Sequence, residues 1–148
     1  PFFCNSGAEA TEAALKLARK WGHRQRGEDC YEILTFTGSF HGRTYGAISA
    51  TAQPKYQEAF RPIVPGFTYL PWGDLAAVEQ AMGPQTCAVM LEPIQGESGI
   101  HPAGREFMTG LDRLCKERDV LFICDEVQTG FGRTGSFWAY AHYDVDPD

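Results

Sequence analysis

Short apolar runs alternate along the chain with longer segments in which apolar residues recur every three or four positions. The short runs are rich in aliphatic and aromatic residues and predict five strands, at residues 2–4, 31–36, 67–70, 87–91 and 120–124. The longer segments predict helices at residues 8–22, 74–82 and 104–118, with a further short helix within 43–52. Residues 53–66 contain three prolines and are predicted to form a surface excursion.

Two of the predicted helices have an apolar stripe, and a third has a cap. The stripe of the first helix is predicted to consist of Ala10, Ala13, Ala14, Leu17, Ala18 and Trp21. That of the last consists of Phe107, Leu111, Leu114 and Cys115. Asp74 is the predicted N-cap of the helix that follows it.

The order of strands and helices predicts the fold class. Near-continuous apolar strands that alternate with helices are typical of a mostly parallel sheet covered on both faces, an α/β/α sandwich. Polar residues follow four of the predicted strands, and open α/β sheets bind their ligands at the carboxyl ends of the strands. These polar groups are Asn5-Ser6-Gly7, Gly38-Ser39-Phe40-His41, Glu92 and Asp125. The pattern therefore predicts a site at this edge of the sheet.

Composition narrows the class of partner. The 148 residues carry a net charge of −6, which argues against a general nucleic-acid or anionic-membrane surface. No apolar run is long enough to span a membrane. The five cysteines are scattered without a C-x-x-C pair, which favours reduced thiols in a cytoplasmic protein, and no residue spacing typical of a metal site is present.

Both termini suggest a part of a longer chain. There is no initiator methionine, and the first residues already form a strand-like run. The last residues, "DVDPD", provide no closing helix or strand. We therefore expect residues 1–148 to be part of a larger domain.

The stretch "NSGAEATEAALKLAR" begins the first helix. Ser6 and Glu9 have the spacing of a capping box. Gly7 and Ala8 would leave the amides of the first turn open, and such a helix start after a strand is suited to a phosphate group. Taken alone, the stretch is more simply explained as an ordinary capped helix.

Two further stretches contain side chains suited to a ligand. In "GSFHGRT", Phe40 would offer a flat apolar face and Arg43 a two-pronged donor for a carboxylate, with His41 between them. A core aromatic, a loop histidine and a surface charge are the simpler interpretations of the same residues. In "LEPIQGESG", Glu92 ends a strand and Glu97 lies in a glycine-flanked loop, where each also has a purely structural explanation.

The stretch "LFICDEVQTG" places a carboxylate at the end of a buried strand. Asp125 needs a partner there, because an unpaired buried carboxylate takes up a proton. A cationic pyridine nitrogen, as in pyridoxal 5'-phosphate, is one such partner. Val127 would then press on one face of the ring and Phe40 on the other, with Gln128 reaching the ring oxygen. One cofactor would thus account for four separate polar clusters.

Taken together, these motifs resemble the class-III (subgroup II) pyridoxal-phosphate aminotransferases. "NSGAEATEAALKLARKW", "FHGRT", "LEPIQGESG" and "DEVQTGFGRTG" follow that family's signatures in order, and the likeness runs from about Cys4 to Asp148. It implies part of the large domain of a fold-type-I enzyme. It also implies that pyridoxal 5'-phosphate is the cofactor.

The resemblance implies a role for each matching residue. Asp125 matches the partner of the ring nitrogen, Phe40 and Val127 the residues on the two ring faces, and Gln128 the donor to the ring oxygen. Arg43 and Glu97 match residues that bind substrate. The full set of cofactor-binding residues expected from the resemblance is Ser6, Gly7, Ala8, Phe40, His41, Glu92, Asp125, Glu126, Val127 and Gln128.

The family's Schiff-base lysine has no match in the chain. It follows the equivalent of Asp148 in the family, and none of the four lysines, Lys16, Lys20, Lys55 and Lys116, lies in a matching motif. We therefore expect residues 1–148 to lack the catalytic-lysine segment and the small domain, and to be inactive alone.

The resemblance also implies a reaction for the complete enzyme. An amino group would pass from an ω-amino donor such as N-acetylornithine to 2-oxoglutarate, in a homodimer. Ornithine or 4-aminobutyrate as donor stays open, as does a non-catalytic protein of the same fold or an inactive truncated product. A nucleotide-binding α/β domain would need a G-x-G-x-x-G or G-K-[ST] loop, and the chain has neither.

Overall fold

A computed structural model describes residues 1–148. The helices are α1 (Gly7–Arg26), α2 (Tyr45–Ala50), α3 (Pro54–Gln57), α4 (Leu75–Ala81) and α5 (Arg105–Arg118). The strands are β1 (Glu32–Phe36), β2 (Phe67–Leu70), β3 (Thr86–Leu91), β4 (Ile94–Gln95), β5 (His101–Pro102) and β6 (Leu121–Cys124). Two 3₁₀ turns cover Glu58–Phe60 and Ala139–His142. No helix is long and apolar enough to cross a membrane.

The main sheet has four strands in the order β2-β1-β3-β6, and every neighbouring pair is parallel. The predicted α/β class with a parallel sheet is therefore confirmed. At its carboxyl edge Leu91 of β3 pairs with Cys124 of β6. The amide of Asp125 then donates to the carbonyl of Leu91 at 2.7 Å, which extends the ladder by one bond.

Alternate residues of β3 enter two apolar cores, one on each face of the sheet. Val89 and Leu91 belong to the larger core, which α4 and α5 cover. Ala88 and Met90 belong to the smaller core, which α1 covers through Leu15 and Ala18. This alternation follows from the two-residue period of a strand, and it explains why β3 is apolar from Cys87 to Leu91.

Most predicted elements form close to their predicted bounds. β2 has the predicted limits, and α4 and α5 lie within one residue of theirs. Asp74 caps α4 as predicted, since its Oδ1 accepts from the amide of Ala77 at 2.9 Å. The excursion at residues 53–66 includes α3 and a 3₁₀ turn, and its Gln57 is buried with a side-chain amide that donates to two backbone carbonyls.

Two predictions are wrong at the start of the chain. Residues 2–4 form no strand, because no neighbouring strand pairs with them, and Phe2 and Phe3 are 70% and 88% exposed. The predicted stripe of α1 coincides only partly with the buried face. Ala18 is buried as predicted, but Leu17 is 63% exposed, and the other buried residues, Thr11, Leu15 and Gly22, were not in the predicted stripe. An alanine-rich helix has apolar residues on more than one side, so its sequence does not fix the buried side.

The hairpin of β4 and β5 was not predicted. These two antiparallel strands have two residues each and lie in the loop that follows Glu92. Strands this short have no periodicity that a sequence pattern can reveal. The hairpin orders the "IQGESGIHP" loop at the edge of the predicted site.

Candidate active site

Three strand ends meet in one pocket at the carboxyl edge of the sheet. Phe40 follows β1, Glu92 follows β3 and Asp125 follows β6, and these three strands are adjacent in the sheet. The pocket has a volume of about 270 Å³. Its lining residues are Phe40, Glu92, Ile94, Glu97, Asp125, Val127 and Gln128. Six of the seven were predicted as site residues, and Ile94 was not.

Asp125 lies buried in this pocket with both carboxylate oxygens engaged. Its Oδ1 accepts from the amide of Val127 at 3.0 Å. Its Oδ2 lies 2.7 Å from Nδ1 of His41. A carboxylate only accepts, so Nδ1 carries the proton of this bond. The side chain of Asp125 is 5% exposed and that of His41 is 0% exposed. Nε2 of His41 has no hydrogen-bond partner in the protein.

Glu92 is the second buried carboxyl group of the pocket. Its Oε2 accepts from the amide of Phe40 at 3.0 Å, so it ties the end of β3 to the loop after β1. Burial raises the pKa of Glu92 to about 7, while nearby His41 and the Phe40 amide act in the opposite direction. Asp125 adds to the rise. The group therefore titrates near neutral pH.

The loop after β6 is held from within by Glu126. Its Oε2 accepts from the hydroxyl of Thr129 at 2.6 Å, and its Oε1 accepts from the amide of Tyr140 at 2.8 Å. Val127, by contrast, is 64% exposed at the pocket wall. Gln128 lies against Gly96, where a Cβ would come within 1.7 Å of Gln128 Oε1. Glu126 thus fixes the loop while its neighbours face the pocket.

The start of α1 adjoins the same wall. Ser6 accepts from the amide of Glu9 at 3.2 Å, as predicted for the N-cap. Glu9 reaches back to the amide of Asn5 at 2.7 Å, one residue before the N-cap amide that a capping box uses. The amides of Gly7 and Ala8 have no acceptor in the protein. A Cβ on Gly7 would lie 2.6 Å from Cγ1 of Val127. Two open amides are therefore next to a pocket residue.

Arg43 lies outside the pocket lining. It is exposed, and its guanidinium carbon lies 5.9 Å from the ring centres of both Phe40 and Tyr56. The two rings meet edge to face at 5.6 Å. Arg43 is thus connected to the pocket through Phe40. Tyr56 was not predicted, because its helix lies in the proline-containing excursion.

A comparison with protein families identifies the family of the chain. A family model, aminotransferase class-III, matches residues 1–148. The chain belongs to the class-III aminotransferase family.

Individual relatives agree with the family. The acetylornithine aminotransferase of Parasynechococcus marenigrum is 54% identical over 99% of this class-III chain, which covers 36% of that protein. The crystal structure of the ornithine aminotransferase of Toxoplasma gondii superposes with a TM-score of 0.93 at 37% identity, covering 98% of the chain and 35% of that structure.

A second structure of the Toxoplasma enzyme superposes with a TM-score of 0.92 at 37% identity, again covering 98% of the chain and 35% of that structure. It has partial occupancy of pyridoxal phosphate (PLP) at its active site. The class-III chain described here thus spans little more than a third of the length of these relatives.

Proposed function

We propose that the chain forms most of the cofactor-binding wall of a pyridoxal-phosphate aminotransferase. The observation that carries the proposal is that buried Asp125 shares one pocket with Phe40 and Val127, beside the two open amides of α1. The pocket combines a buried anion, apolar side chains and amide donors. These are the groups that a protonated pyridine ring bearing a phosphate requires.

Each residue contributes a separate part of the binding. Asp125 would hold a proton on the ring nitrogen, since its carboxylate is already oriented by two hydrogen bonds and has further acceptor sites. Phe40 and Val127 would contact the two ring faces, and Gln128 would donate to the ring oxygen. The phosphate would be bound by Ser6, Gly7 and Ala8. Glu92 would hold Phe40 in place through the hydrogen bond from the Phe40 amide.

The bound cofactor would supply an electron sink for breaking the C–H bond at the substrate carbon that bears the transferred amino group, and a protonated ring nitrogen would strengthen it. The chain's part is to keep that proton on the nitrogen, through the Asp125 carboxylate, and to keep water away with Phe40 and Val127. Burial makes the electrostatic contribution of Asp125 larger than it would be in water. The lysine that binds the cofactor would come from outside residues 1–148.

For the substrates, we infer an ω-amino donor such as N-acetylornithine and 2-oxoglutarate as acceptor. The 54% identity to an acetylornithine aminotransferase supports this choice. Ornithine is the second candidate, supported by the likeness to the Toxoplasma structure. Arg43 would bind a substrate carboxylate as a forked donor, and Glu97 would face the substrate from the opposite loop.

The proposal also includes the domain, the oligomeric state and the cellular compartment of the enzyme. The chain would be part of the large domain of a fold-type-I homodimer, by analogy with the family. All five cysteines are free, and burial raises the pKa of Cys87 and Cys115 to about 12. Five free thiols, most of them shielded from solvent, support a reducing compartment such as the cytoplasm.

The decisive experiment is Asp125→Asn in the complete enzyme. Asparagine keeps the size of the side chain but not its charge, so the ring nitrogen would lose its proton. Stopped-flow absorbance should show conversion of the bound cofactor by an amino donor slowed by about two orders of magnitude or more. Asp29→Asn, on an exposed residue, is the control and should leave the rate unchanged.

The outcomes separate the candidate functions. Cofactor bound by both variants but converted slowly only by Asp125→Asn supports the proposal. A wild-type conversion rate in Asp125→Asn would refute the role of Asp125. Cofactor bound by the unmodified enzyme without conversion by any amino donor would favour a non-catalytic protein of the same fold.

A further inference from the structure

The carboxylate of Glu12 joins α1 to the segment that carries Arg43. Its Oε1 accepts three hydrogen bonds, from Thr44 Oγ1 at 2.5 Å and from the amides of Gly46 and Ala47 at 2.8 and 3.1 Å. Thr44 precedes α2, and its side chain makes no capping bond to that helix. Glu12 therefore supplies, from another helix, the acceptor that the first turn of α2 lacks.

The same segment packs closely along the first two turns of α1. Gly42 has a φ of +127°, and a Cβ there would lie 2.9 Å from the Cβ of Ala47 and 3.0 Å from the Cβ of Ala8. A Cβ on Gly46 would lie 2.3 Å from Oε2 of Glu12. Ala8 and Glu12 are four residues apart and so lie on the same side of α1. Residues 42–46 thus contact α1 at two successive turns, and at Gly42 and Gly46 there is no room for a side chain between the segment and the helix.

We propose that Glu12 is a positioning residue that sets the location of Arg43 and thereby selects substrates with a suitably placed carboxylate. The inference rests on the proposed function, since it takes Arg43 to bind that carboxylate and Gly7 and Ala8 to bind the cofactor phosphate. One helix carries both the open amides and Glu12. The helix therefore fixes the spacing between the phosphate site and the substrate carboxylate.

The surroundings of Arg43 explain why its backbone position matters. The guanidinium forms no ion pair in the protein and lies over the rings of Phe40 and Tyr56. A side chain without a charged partner has many rotamers available, so its reach is set by where its backbone is held. Glu12 holds the next residue, Thr44, with the shortest of its three hydrogen bonds.

The test uses the complete enzyme loaded with pyridoxal phosphate. Glutarate, an unreactive dicarboxylate with the carbon skeleton of 2-oxoglutarate, is the probe, and calorimetry gives its dissociation constant. Thr44→Val removes only the bond beside Arg43, Glu12→Gln keeps an acceptor without the charge, and Glu12→Ala removes all three bonds. Arg43→Ala is the reference, and Glu79→Gln, on the exposed side of α4, is the control.

We expect Glu12→Ala to weaken glutarate binding about ten-fold, as the loss of charged hydrogen bonds would. Thr44→Val and Glu12→Gln should show a smaller loss in the same direction. In all three, KM for the carboxylate donor should rise while kcat and the affinity for the cofactor stay close to those of the control. This split distinguishes positioning of Arg43 from general support of the fold, which would lower kcat and cofactor affinity as well.

Three other results would overturn the inference. If Arg43→Ala loses glutarate but Thr44→Val and Glu12→Gln bind it as wild type does, Glu12 does not position Arg43, and the proposed function stands. If the variants lose cofactor and glutarate together, Glu12 supports the fold alone. If Arg43→Ala itself binds glutarate normally, the role of Arg43 fails, and the inference fails with it.

Discussion

Nδ1 of His41 donates a hydrogen bond of 2.7 Å to Oδ2 of Asp125, and both side chains are shielded from solvent. The two residues come from different strand ends, 84 positions apart in the chain. The amide of Val127 donates to the other oxygen, Oδ1. The two hydrogen bonds together orient the carboxylate before any ligand arrives. A ring nitrogen would thus meet an anion that is already aligned.

Loss of this pair should destabilise the enzyme. His41→Phe would leave the buried Asp125 carboxylate without its partner, and we expect the free energy of unfolding to fall by about 2–4 kcal/mol. Urea unfolding of the apo form measures the change. His23→Phe, at an exposed position of α1, is the control. A change below about 0.5 kcal/mol in His41→Phe would show that the pair does not hold the carboxylate.

Replacing Arg43 by lysine should impair substrate capture. Lysine keeps the charge but loses the fork that binds both oxygens of a carboxylate, so kcat/KM for carboxylate donors should fall by an amount equivalent to about 1–3 kcal/mol. Arg113→Lys, on the exposed face of α5, is the matched control. Equal kcat/KM values for the two variants would remove Arg43 from this role.

Glu92 should make stability depend on pH in an unusual direction. Its folded pKa of about 7 lies above the ordinary value of 4.5, so between these values the folded state binds more protons than the unfolded state. Stability from this group is therefore present at low pH and is lost as pH rises through the window, by on the order of 2–3 kcal/mol.

Glu92→Gln tests this expectation, because glutamine resembles the protonated acid. Urea unfolding of the apo proteins gives their free energies of unfolding between pH 4.5 and 7. We expect the variant to become increasingly more stable than wild type as the pH rises. The glutamine side chain can still accept a hydrogen bond from the amide of Phe40, so the contact between β3 and the loop after β1 is kept. A constant difference at all pH values would mean that Glu92 does not titrate there.

Residues 1–148 alone should not catalyse transamination. All four lysines lie outside the pocket that contains Asp125, on α1, α3 and α5. None can bind the cofactor there or move a proton at the substrate carbon that bears the transferred amino group. The purified chain with pyridoxal phosphate, an amino donor and 2-oxoglutarate should form no keto product above a protein-free control. Saturable turnover that Asp125→Asn abolishes would contradict this.

The sequence predicted those parts of the site that depend on local pattern. Glu92 and Asp125 each end an apolar strand, and parallel strands bring such ends to one edge, so their proximity followed from the fold class. Ser6 and Asp74 were recognised as caps from spacing within a single turn. Hydrogen bonds confirm both caps.

What the sequence did not reveal depends on contacts between distant segments. Glu12 and Thr44 are 32 positions apart, and neither belongs to a pattern that points to the other. The predicted strand at residues 2–4 failed for a related reason, since an apolar run becomes a strand only where another strand pairs with it. In α1, burial of Thr11 and exposure of Leu17 depend on where the sheet lies.

The pairing of Leu91 with Cys124 restricts how related sequences can change in length. Glu92 and Asp125 are the next residues in each strand, so one inserted or deleted residue in β3 or β6 would turn a carboxylate to the opposite face of the sheet. Such changes should therefore be rare in these strands during evolution. Residues 58–62 are exposed and contribute no side chain to the pocket, so insertions there should be better tolerated.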